Sequence, residues 1–307
     1  MILPKIVFAT TPAAGGDDRE AVLLANSLRR NGGRMADCPF WVMVAESTPL
    51  RQNTAAALAK ARAHCIPYVV PEPASGFPFA HKVFAAGAAE EKAQAGGYDL
   101  LVWMDPDTLI LREPREFILE NTRQLGCRPV HLTLMSSLFD QPLDEFWGAI
   151  YRECGVIESN VFPIKTVVDH QYIRPNFNAG LMVVRPRLGL LQTWARHFEN
   201  LYQDPFFKSF YDRNALYRIF IHQCVLAGSI LEKLAQDQIR DFSSGLNYPL
   251  HIHNKMPDDV RADSWNRLVT VRYDSLDFFE HPNWQGMLQI NEPLLGWMMA
   301  LLGSLKN

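Results

Sequence analysis

The sequence is poor in cysteine and contains no cysteine motif. Its five cysteines are scattered and odd in number, and no two of them form a CxxC pair. Disulfide frameworks and zinc ribbons need paired, regularly spaced cysteines, so both are excluded. Each cysteine is interpreted as a small buried hydrophobic residue, and this usage favours a reducing compartment, the cytoplasm.

Long apolar runs and an excess of charge of one sign are absent as well. The apolar run at 294–305 contains two glycines and is shorter than the roughly 20 residues that cross a bilayer. As a helix it is expected to dock on the core, with peripheral contact to a membrane surface as the alternative. A formal net charge of −3 argues against a general nucleic-acid binder.

Apolar runs and helical patterns alternate along the first hundred residues. Strands are predicted at Ile6–Thr10, Phe40–Ala45, 68–70 and Leu100–Met104, and helices around 21–28, at 52–64 and at 83–95. This alternation predicts a mainly parallel sheet with crossover helices. Further strands are predicted at Phe177–Val184 and 250–253, and further helices at 190–202 and 215–234. Parallel sheets bind ligands at the carboxyl ends of their strands.

Two aspartates stand at such a carboxyl end. Asp105 and Asp107 follow the apolar strand Leu100–Met104 and are separated by Pro106. Hard carboxylate oxygens suit Mg²⁺ or Mn²⁺, which then neutralises the phosphate oxygens of a substrate. The alternative is an acidic turn in which Asp105 caps a helix and Pro106 fixes the backbone.

Three segments of the chain together resemble glycosyltransferases of the GT-A fold. Residues 102–111 (VWMDPDTLIL) resemble their DxD strand, in particular that of the glycogenin and galactosyltransferase-like family, glycosyltransferase family 8. Residues 177–184 (FNAGLMVV) look like that family's strand beside the donor sugar, and residues 249–255 (PLHIHNK) are similar to its closing metal segment. The resemblance implies an α/β fold of GT-A type, with a mainly parallel, Rossmann-like sheet and flanking helices.

The resemblance also implies a metal site. Asp105 and Asp107 would bind Mn²⁺ or Mg²⁺ together with His251, and His253 is the alternate ligand. If 250–253 is a strand, the two histidines share a face, since side chains two residues apart point the same way. A buried core histidine is the alternative interpretation of His251.

Donor-binding residues follow from the same resemblance. They comprise the loop after the first strand, which would face the nucleobase and ribose, a basic residue before the DxD strand, the strand beside the sugar and a phosphate-binding lysine. These residues are Ala9, Thr10, Thr11, Lys82, Asp105, Asn178, Ala179, Gly180 and Lys255. Ordinary solvated lysines are the alternative interpretation of Lys82 and Lys255.

The sequence departs from the family's pattern in two places. His222 and Gln223 stand where the family has an Asp-Gln pair near the reacting sugar carbon, and they are the expected catalytic residues. A neutral histidine can hydrogen-bond to a sugar but cannot supply a carboxylate's charge. In the closing segment, Asn254 and Lys255 follow His251 without the family's glycine, so the phosphate loop is shorter.

The resemblance implies a metal-dependent hexosyltransferase, of retaining type, that moves a sugar from a nucleoside diphosphate sugar, a UDP-sugar, to a hydroxyl acceptor on a carbohydrate or another molecule. The bound cation would stabilise the leaving diphosphate. One domain is expected over 1–307, with a nucleotide-binding half (1–111), a half for the donor sugar and acceptor (112–275) and a C-terminal segment packed on the core (276–307).

Two other functions remain open. A non-catalytic nucleotide-sugar-binding protein of the same fold would be consistent with histidine at position 222. A haloacid-dehalogenase-like phosphohydrolase would use Asp105, Asp107 and Thr108, with Asp258 and Asp259 as a downstream acidic pair. The phosphohydrolase is disfavoured because three predicted strands precede the aspartates, whereas that family places its nucleophile on the first strand of its core.

Overall fold

The computed structural model describes residues 3–12, 15–281 and 283–305. Ala13 and Ala14 of the first predicted loop, and the end of the C-terminal segment, lie outside the described residues. In chain order the strands are β1 (Ile6–Thr10), β2 (Phe40–Ala45), β3 (Ala63–Tyr68), β4 (Leu100–Met104), β5 (Thr108–Ile110), β6 (Leu125–Pro129), β7 (Ile164–Lys165), β8 (Tyr172–Ile173), β9 (Phe177–Val184), β10 (Ile239–Asp241), β11 (Tyr248–Pro249) and β12 (Thr270–Arg272). The α-helices are α1 (Arg19–Asn31), α2 (Gln52–Lys60), α3 (Ala80–Ala95), α4 (Glu145–Glu153), α5 (Leu190–Leu201), α6 (Pro205–Arg213), α7 (Ala215–Lys233), α8 (Asp277–Glu280), α9 (Trp284–Met287) and α10 (Leu294–Ser304).

A seven-stranded sheet forms the centre of the fold, in the order β10-β6-β9-β4-β1-β2-β3. Its pairs are parallel except those of β9, which runs antiparallel to both β4 and β6. A small sheet of order β11-β12-β5 begins just beyond the carboxyl end of β4. The mainly parallel α/β sheet that the sequence predicts is therefore confirmed.

The central strands are apolar throughout because helices cover both faces of the sheet. Val7, Leu101 and Trp103 point into one core cluster, which α3, α5 and α7 complete. Phe8 and Val102 point into a second cluster on the opposite face, completed by α1. A strand buried on both faces gives a continuous hydrophobic run, which is the pattern of β1 and β4 in the sequence.

The predicted helix at 52–64 is too long, and the predicted strand at 68–70 is wrong. Helix α2 ends at Lys60, the backbone turns at Arg62 with φ 57°, and β3 then occupies Ala63–Tyr68. This strand lies at the edge of the sheet, and most of its side chains are exposed or half-buried. An edge strand needs no apolar run and tolerates Pro67, so the pattern gave no indication of it.

The predicted strand at 250–253 is also wrong. The short strand β11 ends at Pro249, and 3₁₀ turns cover Leu250–Lys255. In a 3₁₀ turn, residues two apart point about 120° away from each other rather than the same way. His251 is accordingly exposed, whereas His253 is buried, with its Nδ1 2.7 Å from the Tyr248 hydroxyl.

The apolar helix α10 docks on the protein. Its Leu294 and Met298 are buried in a third core cluster with Trp265 and Leu250. Within the described ranges, none of the helices combines the length and the apolar character that a membrane crossing requires.

A buried carboxyl group joins α3 to the start of α5. The Glu90 side chain is fully buried and accepts hydrogen bonds from the Leu190 and Gln192 backbone amides, at 3.0 and 2.9 Å. Burial raises the pKa of Glu90 to about 7, although these hydrogen bonds oppose the rise. In the unfolded chain the group ionises near pH 4.5. Stability is therefore lost as the pH rises from the unfolded to the folded pKa.

We expect Glu90→Gln to flatten the pH dependence of stability. The ionisation of Glu90 should cost about 2 kcal/mol of unfolding free energy between pH 5 and 8, and a neutral amide removes that cost. Urea denaturation at several pH values measures it. Glu91→Gln, at an exposed neighbour, is the control and should keep the wild-type slope. An unchanged slope in Glu90→Gln would contradict the raised pKa.

Candidate functional site

The predicted DxD turn lies where three parts of the chain meet. The Asp105 amide at the end of β4 donates to the Gly180 carbonyl of β9 at 2.8 Å. The Tyr273 amide, just after β12, donates to the Asp107 carbonyl at 3.0 Å. The backbone therefore holds the middle and last thirds of the chain together at this turn.

Four charged side chains form a compact cluster at the turn. Lys82 Nζ lies 2.7 Å from Asp105 Oδ2, and Arg272 Nη2 lies 2.7 Å from Asp107 Oδ2 and 3.4 Å from Asp105 Oδ2. The two carboxylate side chains are only 4 % and 7 % exposed. Burial raises the pKa of Asp105, but the charges of Lys82 and Arg272 outweigh it and hold the pKa below its ordinary value. The carboxylate is therefore ionised, and the two cations balance the pair.

A glycine on β9 makes room for this cluster. A Cβ at Gly180 would stand 2.9 Å from both Asp105 Oδ2 and Asn178 Oδ1, and 3.2 Å from Arg272 Nη1. Asn178 Oδ1 accepts from the Gly180 amide at 2.8 Å and from Asn247 Nδ2 at 3.1 Å. The Asn-Ala-Gly segment thus brings a fixed amide group beside the carboxylates without filling the space in front of them.

Two adjoining cavities open onto the cluster, one of about 610 Å³ and one of about 290 Å³. They share four lining residues, Phe79, Lys82, Arg272 and Asp274. Asp105 and Asp107 line the larger cavity, and Asn178 lines the smaller one. The charged cluster therefore stands at the junction of two spaces that can each take a part of one ligand.

The smaller cavity contains the predicted catalytic pair, His222 and Gln223, on α7, together with His251. His222 Nδ1 lies 2.8 Å from the Ile219 carbonyl, which can only accept, so this nitrogen carries the proton. Burial, reinforced by the charge of Lys82, lowers the pKa of His222 to about 3. The ring is therefore neutral at pH 7, and its Nε2 is a hydrogen-bond acceptor.

The larger cavity is lined by Thr11 and by Glu20 of α1. The Thr11 hydroxyl donates to the Met43 carbonyl at 2.9 Å, which fixes the loop after β1. Burial raises the pKa of Glu20 to about 8, and the carboxylates of Asp107, Asp17 and Asp105 add to the effect. Glu20 is therefore mostly protonated at pH 7 and adds little negative charge to this cavity.

Several predicted site residues lie away from the two cavities. Ala9 and Thr10 are buried within β1, and Lys255 is exposed on the 3₁₀ turn. His253 contacts Tyr248, inside the core behind that turn. Of the loop after β1, Thr11 alone among the predicted residues reaches the larger cavity.

The predicted metal ligands do not form a cation site in this arrangement. In the described part of the chain no three His, Cys, Asp or Glu side chains come together, so a cation at the DxD turn would have to take its remaining ligands from the substrate and water. The carboxylates of Asp105 and Asp107 are instead bound by Lys82 and Arg272. The two carboxylates as they stand therefore favour these side-chain cations over Mn²⁺ or Mg²⁺, and Asp105 Oδ1 alone of their oxygens is buried without a partner among the described residues.

Sequence reasoning missed Phe79 and Arg272, which the structure brings to the junction of the cavities. Phe79 has φ 60° and ψ 6°, a left-handed conformation that is rare for a bulky residue. Its ring stacks on His222, with centroids 4.4 Å apart, and Lys82 Nζ lies 4.9 Å from its centre. The Phe-Pro-Phe stretch before α3 was the available signal for Phe79, whereas a lone arginine on a three-residue strand gives none.

Comparison with known proteins identifies the family. The Rhodobacterales glycosyltransferase domain matches residues 14–226, which is more than two thirds of the chain. The protein belongs to this glycosyltransferase family. The matched segment contains Lys82, the two aspartates, the Asn-Ala-Gly segment and His222, and it ends before His251 and Arg272. None of the curated proteins matches the chain.

One solved structure, with a TM-score of 0.50, supports the GT-A fold, and two others are similar to the chain at lower scores. An active-site mutant of the galactosyltransferase LgtC is 16% identical, with a TM-score of 0.50 over 97% of this chain and 95% of that one. LgtC in complex with donor and acceptor sugar analogs is 17% identical over the same shares, with a TM-score of 0.47. Mouse xyloside xylosyltransferase 1, in its apo form, is 13% identical over 88% of this chain and 97% of that one, with a TM-score of 0.45.

The left-handed backbone conformation of Phe79 can be tested by comparing two substitutions that both remove its aromatic ring. Phe79→Gly and Phe79→Ala both lose the stacking on His222, but glycine adopts positive φ without cost. We expect the glycine variant to be more stable than the alanine variant by about 1 kcal/mol in the free energy of unfolding, measured with urea. Equal stabilities, or a more stable alanine variant, would show that residue 79 is not left-handed in solution.

Proposed function

We propose that the protein transfers a sugar from a uridine diphosphate sugar to a hydroxyl acceptor, with retention of the anomeric configuration. The observation that carries the proposal is the position of Lys82 and Arg272 at the junction of the two cavities. A nucleoside diphosphate leaves well only if its growing negative charge is stabilised, and these two cations provide that stabilisation. The uridine base and the retention of configuration rest on the resemblance to glycosyltransferase family 8.

The larger cavity suits the nucleotide part of the donor. It lies beyond the carboxyl ends of β1 and β4, which is where parallel sheets bind ligands. Thr11 and the protonated Glu20 give this cavity polar groups that carry no negative charge. Lys82 lines the same cavity, and its side chain is 13 % exposed, so a phosphate can reach it. A diphosphate in this cavity would reach the charged cluster with its second phosphate, where the bond to the sugar breaks.

The smaller cavity suits the sugar and the acceptor hydroxyl. Asn178, Gln223 and the neutral His222 give it hydrogen-bonding groups, and Phe79 gives it a flat apolar wall. His222 Nε2 can accept a hydrogen bond from a sugar hydroxyl but holds no charge there. The residues of this cavity would therefore orient the reactants and keep water away from the reacting carbon.

The proposal does not depend on a metal, on a membrane or on a compartment. Mn²⁺ or Mg²⁺ at Asp105 and Asp107 stays a prediction from the resemblance, and the ion pairs of the two carboxylates do not favour it. A reaction in the cytoplasm is proposed because all five cysteines, which belong to the described residues, are free thiols. A carbohydrate is the proposed acceptor.

A non-catalytic sugar-nucleotide-binding protein is the second candidate, because His222 replaces the carboxylate that the family resemblance leads one to expect. The phosphohydrolase has no support in the fold or in the family. Its downstream pair would include Asp258, whose side chain is 93 % exposed and paired with Arg261. A hydrolase needs that carboxylate beside the reacting phosphate.

Nucleoside diphosphates and nucleotide sugars should raise the melting temperature, and uridine compounds should raise it most. At a concentration of 100 times Kd, mass action adds about 2.7 kcal/mol of stability, which corresponds to about 4 °C in a domain of this size. A thermal-shift panel with UDP, GDP and ADP, with simple phosphate esters as controls, measures this. Stabilisation by the esters alone would overturn the proposal.

Turnover of the donor distinguishes the proposed transferase from the non-catalytic sugar-nucleotide-binding protein. The enzyme should slowly hydrolyse the UDP-sugar that stabilises it and should transfer the sugar faster when the right acceptor is present. Donor binding without release of UDP, for every acceptor tested, would instead support the non-catalytic function.

Donor binding should weaken at alkaline pH through Glu20. Below its pKa of about 8 this side chain is neutral, and above it a new negative charge enters the cavity that holds the diphosphate. We expect the Kd for UDP to rise about threefold to tenfold between pH 7 and 9. Calorimetric titrations should give a nearly flat profile for Glu20→Gln and a wild-type profile for Glu91→Gln. A profile that is the same in all three proteins would contradict the role of Glu20.

A further inference from the structure

Arg272 occupies the place between the two DxD carboxylates. Its Nη2 is 2.7 Å from Asp107 Oδ2 and 3.4 Å from Asp105 Oδ2, and its Nε is 3.3 Å from Asp107 Oδ1. The guanidinium thus contacts both oxygens of one aspartate and one oxygen of the other. A divalent cation bound by Asp107, or by Asp105 through Oδ2, would compete with the guanidinium for these oxygens, which leaves it only Asp105 Oδ1 without a partner among the described residues.

The charges of the four contacting side chains already balance, and a further carboxylate, Asp274, lines both cavities beside them. Asp105 and Asp107 bring two negative charges, and Lys82 and Arg272 bring two positive ones, within hydrogen-bond or ion-pair distance of one another. A divalent cation added to this set would meet two positive side chains and would have to displace the guanidinium. The guanidinium resists displacement because the strand pairing of Arg272 already holds it against the carboxylates, whereas a metal ion would have to lose part of its hydration to enter.

The fold fixes Arg272 in this position. It is the last residue of β12, where it pairs with Thr108 of β5 and with Pro249 of β11. Because β5 begins directly after Asp107, the strand pairing sets the arginine opposite the aspartates. Gly180 leaves the space that the guanidinium fills, since a Cβ there would stand 3.2 Å from Nη1.

The arginine also keeps donors available for a ligand. Its side chain is 20 % exposed and lines both cavities. Among the described residues its Nη1 has no hydrogen-bond acceptor. A guanidinium carries five N–H donors in a fixed fork and matches phosphate oxygens well. It can therefore hold the carboxylates on one side and a diphosphate on the other.

We propose that Arg272 takes the place of the divalent cation, so that the protein binds its donor diphosphate without metal. This proposal rests on the proposed function, because it assumes that the ligand is a nucleoside diphosphate. Arg272 and Lys82 neutralise the diphosphate, and the carboxylates of Asp105 and Asp107 orient the two cations rather than a metal. Asp105 and Asp107 are accordingly positioning residues.

The first test is the binding of UDP to the wild-type full chain by calorimetry, once in EDTA and once in Mn²⁺. We expect the two Kd values to agree within about threefold, since no charge-assisted contact depends on the metal. Binding that requires Mn²⁺ would overturn the role of Arg272 and leave the proposed function standing. The absence of UDP binding in both buffers would overturn both proposals.

The second test exchanges the cation. In EDTA, Arg272→Gln should weaken UDP binding about tenfold or more, because a charge-assisted hydrogen bond is lost. The freed carboxylates should then make UDP binding respond to Mn²⁺, a response that we do not expect of the wild-type protein. Arg267→Gln, at an exposed arginine paired with Asp263, is the matched control and should behave as wild type. Arg272→Lys keeps the charge and should retain part of the affinity.

Wild-type affinity of Arg272→Gln in EDTA would overturn the proposal, provided that its circular dichroism shows a folded chain. If the glutamine variant does not fold, the wild-type titrations in EDTA and Mn²⁺ still decide the question. A larger response to Mn²⁺ in the wild-type protein than in Arg272→Gln would also contradict it.

Discussion

The site depends on keeping two buried carboxylates ionised at the carboxyl end of β4. Taking a carboxylate out of water is costly unless a cation and hydrogen bonds replace its hydration. Asp105 and Asp107 obtain their cations from opposite directions, from Lys82 in the first turn of α3 and from Arg272 at the end of β12. The start of α3, the turn after β4 and the small sheet must therefore come together before either aspartate is stable. The same requirement forces Gly180, on the adjacent strand, to have no side chain.

Because Arg272 pairs with Asp107, the last third of the chain contributes a charged side chain to the site. Strand β12 would be too short to hold its position by itself, but it pairs with β5 and β11, and the apolar residues around Trp265 and α10 pack behind it. The C-terminal helices thus stabilise the strand that carries Arg272. The residues from β11 to Asp274 thus form part of the cavity walls, and the C-terminal helices pack behind them, with none of their described residues lining either cavity.

The sequence predicts the buried strands of the central sheet better than its edge strand and the 3₁₀ turns. The bounds of β1, β2, β4 and β9 agree with the predicted ones, because strands covered on both faces are continuous apolar runs. The predictions for the segments that form β3 and the 3₁₀ turns after β11 were wrong, since neither an edge strand nor a 3₁₀ segment produces a continuous apolar run. In the site, the aspartates and the Asn-Ala-Gly segment belong to recognisable motifs, and the structure brings them together. Arg272 belongs to none, and it meets Asp107 across 165 residues of sequence, so folding alone reveals the pair.

The proposed role of Arg272 offers an electrostatic explanation for the histidine at position 222. In the family that the sequence resembles, an aspartate stands there, the DxD pair binds a divalent cation, and a basic residue precedes the DxD strand. Exchanging a divalent cation for a guanidinium removes one positive charge from the cluster, and exchanging that aspartate for a neutral histidine removes one negative charge. The burial that lowers the pKa of His222 to about 3 ensures that the ring stays neutral. A carboxylate at position 222 would add a negative charge beside Asp105, whereas a charged histidine would oppose Lys82. Under the proposed metal-free binding, the two exchanges therefore compensate each other in charge.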